Sequence, residues 1–255
     1  SWDKFQNYSA SFFSNHKAQR YFRHYTHYLL KRVNSITDQR YIDDPTIMAW
    51  QLANEPRGFQ EERAYVKWVK RTSRFIQRKD PNHLVSLGGE GRLTGSQGTA
   101  FDEVSALPSI DYLTAHIWIE NWGWYNPQVP EATFDSALYK AKAYLAEHVA
   151  IANDLQKPIV LEEFGISRDG GSHDPEANSM WRNRYFEEMY EQMLLHIAKG
   201  DALAGSNFWS WSGSQLPLHP SEKWHMGDPL VGDPPHEKQG WYSIYLTDEA
   251  TLALF

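Results

Sequence analysis

Cysteine is absent from the 255 residues. That excludes disulfides, thiolate metal sites and a cysteine nucleophile together, and it leaves the compartment open, because an oxidising compartment does not require cysteine. No run of about 18 apolar residues occurs, so no membrane-spanning helix is expected. The start, Ser1-Trp2-Asp3-Lys4, has neither the basic opening nor the apolar stretch of a secretory signal. The expectation is a soluble chain, intracellular or already trimmed. An excess of basic residues is also missing: 25 Lys and Arg stand against 32 Asp and Glu, a net charge of −7. Without a basic face to hold a phosphate backbone, nucleic acid is excluded as the expected partner. There is no Gly-x-Ser-x-Gly elbow to support acyl transfer. No Gly/Ser linker or repeat divides the chain, so a single domain over 1–255 is expected.

Aromatic rings are plentiful instead, with 11 Trp and 14 Tyr, many of them in polar, Gly/Pro-rich stretches. Such rings stack on flat apolar ligand faces; the bland alternative is that they fill a large core and its rim. Hydrophobic residues make up 41% of the chain, enough for one large core or two modest ones.

Periodicity sets out the architecture. Between Lys17 and Val33, Tyr21, Phe22, Tyr25, Tyr28, Leu29 and Val33 recur at spacings of three and four, which predicts an amphipathic helix. After the breaker Asp43-Asp44-Pro45, the short apolar run from Ile47 to Ala53 predicts a buried strand halted by Pro56. Helical spacing returns at Tyr65, Trp68, Val69 and Ile76, followed by a strand from Leu84 to Leu87. Then come a strand from Asp111 to Trp118, a helix from Ser136 to Asn153 and a strand from Pro158 to Phe164. A helix from about Glu176 to Lys199, capped by Gly200, and a strand from Leu203 to Trp211 complete the pattern. Near-continuously apolar strands alternating with helices predict an α/β fold with a parallel sheet covered by helices. The five strands are too widely spaced for eight to fit in this length. Either the sheet is open, or the chain is the C-terminal part of a barrel; the long helix with no strand before it favours the second.

Parallel α/β folds keep their active sites at strand C-terminal ends, and the unusual polar groups fall there. Asn54 and Glu55 end the first strand, Glu90 follows the second, His116 and Trp118 end the third, Glu162 and Glu163 the fourth, and Trp209 and Trp211 the fifth. A carboxylate among apolar strand residues is costly unless paired or used. Two carboxylates on separate strand ends are what glycosidic bond cleavage requires, one to protonate the leaving oxygen and one to attack the anomeric carbon.

The segment Pro45-Thr46-Ile47-Met48-Ala49-Trp50-Gln51-Leu52-Ala53-Asn54-Glu55-Pro56-Arg57 resembles the acid/base strand of retaining glycoside hydrolases of clan A. Pro158-Ile159-Val160-Leu161-Glu162-Glu163-Phe164-Gly165 resembles their nucleophile strand. With Thr114-Ala115-His116-Ile117-Trp118, Asn121-Trp122-Gly123-Trp124-Tyr125 and Gln239-Gly240-Trp241-Tyr242-Ser243, the chain is most similar to β-1,4-mannanases of glycoside hydrolase family 5. The resemblance implies a (β/α)8 TIM barrel, of which this chain supplies roughly strands 4 to 8, and a double-displacement cleavage of internal β-1,4-mannosidic bonds. It implies Glu55 as acid/base, Asn54 as donor to the sugar 2-hydroxyl, and Glu163 as nucleophile. Glu162 is the rival nucleophile, but it alternates away from Glu163, and its bland role is a salt-bridged carboxylate facing the helices. A retaining pair should stand about 5 to 5.5 Å apart. His116 would hydrogen-bond near the acid/base, and Trp209 or Trp211 would floor the attacked sugar. No cofactor and no metal are expected, the substrate being β-mannan or its oligosaccharides. The implied location is extracellular: secreted, periplasmic or at the cell surface.

Two departures from the family stand out. The Tyr expected two residues after His116 is Trp118, and Tyr125 is the proposed substitute. The family's Arg and an earlier His come from strands preceding the Asn-Glu-Pro strand, so the first three β/α units are expected in a longer parent or in a partner chain that completes the barrel. The rival readings are an exo-acting β-mannosidase, a β-1,4-glucanase, or a silent glycan-binding domain. Trp122 and Trp124 are further candidates for sugar contact. Arg57 and the segment Glu90-Gly91-Arg92, beside strand ends, would touch sugar hydroxyls, or else are solvated charges. The Pro-rich stretch from Trp224 to His236 holds two His and two Asp, matches no metal-ligand pattern, and is read as a rim or surface loop.

Overall fold

The computed structural model describes residues 2–93 and 98–255. In chain order the elements are α1 (Trp2–Ala10), α2 (His16–Lys31), β1 (Ala49–Gln51), α3 (Glu62–Lys79), β2 (Leu84–Ser86), α4 (Phe101–Ser105), β3 (Leu113–Ile117) and α5 (Pro130–Leu155). They continue with β4 (Ile159–Phe164), α6 (Met180–Ala198), β5 (Leu203–Ser206), β6 (Trp211–Gly213), β7 (Ile244–Tyr245) and α7 (Glu249–Leu252). The five strands expected from sequence are present, each shorter than its apolar run, and the fold is α/β. Among the described residues three sheets take the place of the single expected one: β1 with β2, β3-β4-β5 in that order, and β6 with β7. Among the described residues no helix is long and apolar enough to cross a membrane. The chain divides into two compact units, the first running to Ala115 and including Ile151–Ile159, the second comprising His116–Ala150 and Val160–Phe255.

In the first unit, Asn15 starts α2 by accepting hydrogen bonds from the Lys17 and Ala18 amides at 3.1 and 3.0 Å, an N-cap that satisfies two donors the helix cannot. α3 buries Tyr65, Trp68, Val69 and Ile76 on one stripe. Phe12 and Phe13 meet that stripe edge-on, Phe12 against Trp68 at 5.6 Å and Phe13 against Tyr65 at 5.0 Å. β1 and β2 are parallel, with Ala49 opposite Leu84 and Gln51 opposite Ser86. The ladder does not pass regularly from β2 to the residues before β3, because the Asp111 carboxylate itself accepts the Val85 amide at 2.6 Å while the Asp111 amide donates to Val85 O at 2.8 Å. A side chain taking a ladder donor is what separates these sheets.

In the second unit the Asn207 amide donates to Leu161 O and the Trp209 amide to Phe164 O, both at 2.9 Å. The bonds advance in one sense along both chains, as a parallel pair requires. α6 ends as expected at Gly200, whose φ of +74° suits a residue without a Cβ. The tail folds back inside this unit. Asp233 accepts from the Gly240 amide at 2.9 Å, the Tyr242 amide at 2.7 Å and the Ser243 hydroxyl at 2.5 Å. The fully buried Arg182 of α6 donates to the carbonyls of Ile166, Ser243 and Trp241. Arg168 grips both oxygens of Asp248 at 2.6 and 2.7 Å.

Candidate active site

In the first unit the β1 ladder runs on past its last strand residue. Leu52 and Ala53 donate to Ser86 O and Leu87 O at 3.2 Å, and the Glu55 amide donates to Gly88 O at 2.8 Å. Glu55 is thereby held at the C-terminal end of β1 in a left-handed conformation, φ +45°, a backbone state that costs a non-glycine residue of order 1–3 kcal/mol and persists only where surrounding structure imposes it. Gly88 permits this arrangement. Its φ is +76°, and a Cβ there would lie 2.3 Å from Ala53 O. Glu55 is half-buried and Asn54 exposed. Glu90, after β2, is buried and ion-pairs with Arg57, so these two are not solvated charges. Arg92 does pair at the surface, with Asp102 of α4.

In the second unit, buried His116 lies at the end of β3 with Nδ1 3.2 Å from Glu163 Oε2 and Nε2 3.7 Å from Glu162 Oε2. One imidazole thus faces both carboxylates that end β4. The shorter contact, to Glu163, ties the end of β4 to β3. Strand alternation alone placed Glu162 among the helices; its approach to the imidazole shows that a long side chain at a strand end escapes the period-two rule.

Trp118 forms an aromatic cluster with Trp209, at 6.1 Å and 81°, and Tyr242, at 5.2 Å. Gly165 lets the chain after β4 approach this cluster, since a Cβ there would stand 2.4 Å from Trp209 O. Trp211, in β6, is half exposed and rests over Gly213.

The stretch from Asn121 to Tyr125 packs against α5, with Trp122 and Trp124 left half-buried. Trp122 packs on Trp124 at 4.8 Å and on Tyr144 of α5 at 5.3 Å, and Lys140 of α5 lies over the Trp124 ring. Tyr125 packs edge-on against Phe134 of α5, and its buried hydroxyl meets no hydrogen-bond partner among the described residues; burial, then the charge of Glu120, pushes its pKa up. Tyr125 therefore does not orient Glu163. These rings meet Lys140, Tyr144 and Phe134 on a helix that local spacing could not link to them.

Tyr242 and Glu120 were missed as candidates. Tyr242 donates its hydroxyl to Asn121 and stacks on Trp241 at 5.0 Å. Glu120 accepts from the Ser167 amide at 2.9 Å and from Trp241 Nε1 at 3.0 Å. The tail motif from Gln239 to Ser243 was the available signal for Tyr242, whereas nothing local marked Glu120.

Carboxylates and tryptophans following parallel strands define an α/β protein of the strand-end-site type. The chain belongs to glycoside hydrolase family 5: a family model described as GH family 5 beta-mannosidase-like matches residues 1–255. A putative mannan endo-1,4-beta-mannosidase 9 of Oryza sativa subsp. japonica is 32% identical over 196 residues, 72% of this chain and 46% of that protein. Mannan endo-1,4-beta-mannosidase 7 of Arabidopsis thaliana is 30% identical over 213 residues, 78% of this chain and 47% of that protein. Among solved structures, a glycoside hydrolase family 5 mannosidase from Rhizomucor miehei superposes with a TM-score of 0.88 at 32% identity, covering 100% of this chain and 61% of that one. The chain spans about half the length of the curated relatives it matches.

Proposed function

We propose that this chain is the catalytic part of a retaining glycoside hydrolase that cleaves internal β-1,4-mannosidic bonds in mannan-type polysaccharides. The supporting observation is Glu163 at the C-terminal end of β4 with a buried imidazole nitrogen at 3.2 Å, in a chain matched by the family model from end to end. Glu163 attacks the anomeric carbon and forms a covalent mannosyl ester while Glu55 protonates the leaving oxygen. Glu55 then takes a proton from water, which hydrolyses the ester and restores Glu163. Asn54 donates to the sugar 2-hydroxyl, Trp209 floors the attacked sugar with Trp211 beyond it, and Trp118 flanks the floor. His116 positions Glu163 through its 3.2 Å contact, and Arg57 and Glu90 shape the acid/base side. The chain acts as one domain, corresponding to strands 4 to 8 of a (β/α)8 barrel whose earlier strands come from a longer parent or a partner chain. It works outside the cell, in polysaccharide degradation and carbohydrate metabolism.

Glu163→Gln is expected to abolish release of reducing sugar from mannan without unfolding, and Glu55→Gln to slow turnover by on the order of 10²–10⁴. An unchanged rate in Glu163→Gln would end the nucleophile assignment. A second reading, exo-acting β-mannosidase, draws on the family model's description and on the Rhizomucor miehei mannosidase. Mannohexaose separates the two: a mixture of short oligosaccharides supports internal cleavage, stepwise release of mannose supports the exo reading, and preferential cutting of cellohexaose would contradict both. Binding of mannan without any cleavage would favour a silent glycan-binding domain.

A further inference from the structure

The segment joining β6 to β7, residues 214–243, contains no helix or strand of its own, and connections of this length in compact proteins are commonly functional. Its middle is nonetheless ordered by specific bonds. The Ser221 amide donates to Gln239 O at 3.0 Å and the Gln239 amide to Glu222 O at 2.8 Å. Trp224 Nε1 donates to Asp228 O and the His225 amide to Asp228 Oδ2, both at 2.9 Å. Gly227, at φ +102°, closes the turn between them.

That turn brings together His219, His225 and Asp228, whose ligand atoms all lie within 4.8 Å of one another. His225 Nδ1 is 3.4 Å from Asp228 Oδ2 and His219 Nε2 is 3.9 Å from Asp228 Oδ1. The two imidazoles are 5.2 Å apart and nearly perpendicular, so they do not stack face to face. Donors on a tetrahedral zinc ion stand about 3.3 Å apart, given bonds of about 2.0 Å. Small rotations of two half-exposed rings supply the remaining contraction. Glu222 completes the arrangement, with Oε2 3.7 Å from His225 Nε2. A carboxylate behind the non-ligating nitrogen is the usual way a metal-binding imidazole is oriented and made more basic.

The geometry points to a divalent transition-metal site, of which zinc is the representative occupant, formed by His219 Nε2, His225 Nδ1 and Asp228, with Glu222 as the orienting partner. Two imidazoles and one carboxylate select zinc-like ions over calcium or magnesium, which prefer all-oxygen shells. The site lies outside the carboxylate machinery proposed for sugar cleavage. Bound metal ties three points of the β6–β7 segment together, so its role is to fix that loop.

The test is zinc titration of the full chain by calorimetry at neutral pH, with calcium as the comparison ion. One zinc per chain is expected to bind. His225→Ala and His219→Ala should each weaken it at least tenfold, whereas His236→Ala, in the same loop but outside the cluster, should bind as the parent does. Asp228→Asn provides a near-isosteric second loss should an alanine variant fold poorly. Zinc should also slow proteolytic cleavage between residues 214 and 243. No binding up to about 100 µM, binding that His225→Ala and Asp228→Asn leave unchanged, or calcium bound as tightly as zinc would each overturn the site.

Discussion

His83 is enclosed in the first unit with Nδ1 2.7 Å from Asp80 Oδ2 and Nε2 2.9 Å from Asp44 O. Burial opposes its charge, but the hydrogen bonds it donates to the Asp80 carboxylate and the Asp44 carbonyl outweigh burial and hold its pKa above the usual 6.5. Burial likewise opposes ionisation of Asp80, yet His83, Trp50 Nε1 at 2.6 Å and the Asn82 amide bring its pKa below the ordinary carboxylate value. The signs are opposite. The stabilisation from His83 is complete below about pH 6.5 and lost as pH rises through its raised folded value; that from Asp80 is present above about pH 4 and lost as pH falls through its depressed one. Between those limits the pair contributes fully. An NMR titration is expected to place the His83 midpoint above 6.5 in the parent and below it in Asp80→Asn, where the ring stays buried without its carboxylate. A parent midpoint at or below 6.5 would contradict this account.

Elements long enough to show a period were legible: α2, α3, α5, α6 and the five apolar runs. β6, β7, α4 and α7 span two to five residues, too few for a period to register. The expected single sheet failed at Asp111, a residue whose competition for the Val85 amide depends on a partner 26 positions away. The proposed site is at strand ends, and the β1–β2 end turns on Gly88. Gly88→Ala places a methyl 2.3 Å from Ala53 O at a positive φ, so the bond from the Glu55 amide must lengthen or break. A loss of about 1–3 kcal/mol is expected, read from the denaturant midpoint, together with a fall in kcat larger than any change in KM. A variant as stable and active as the parent would show that the close approach does not set the Glu55 position.

Across the whole chain, the family was readable from two short motifs because the carboxylates proposed as catalytic sit beside strand residues that the sequence pattern reveals. What supports those motifs was not readable. Arg182 draws its acceptors from residues 16 to 61 positions away, and Asp233 gathers three donors from a stretch that reads as loop. Burial, reinforced by the nearby Arg168 cation, pushes the Arg182 pKa down to about 10. Replacing it with Met leaves buried carbonyls without donors, and a loss of at least ~3 kcal/mol is expected, measured by chemical denaturation. A loss below ~1 kcal/mol would mean that water replaces the guanidinium.

That same buried arginine changes what the final residues are. Trp241 and Ser243 lend it their carbonyls, and Asp248 neutralises Arg168. The C-terminal stretch is therefore a keystone of its unit. An engineered form stopped short of Trp241 would strand two cations in an oily interior and give insoluble protein in place of a minimal working fragment.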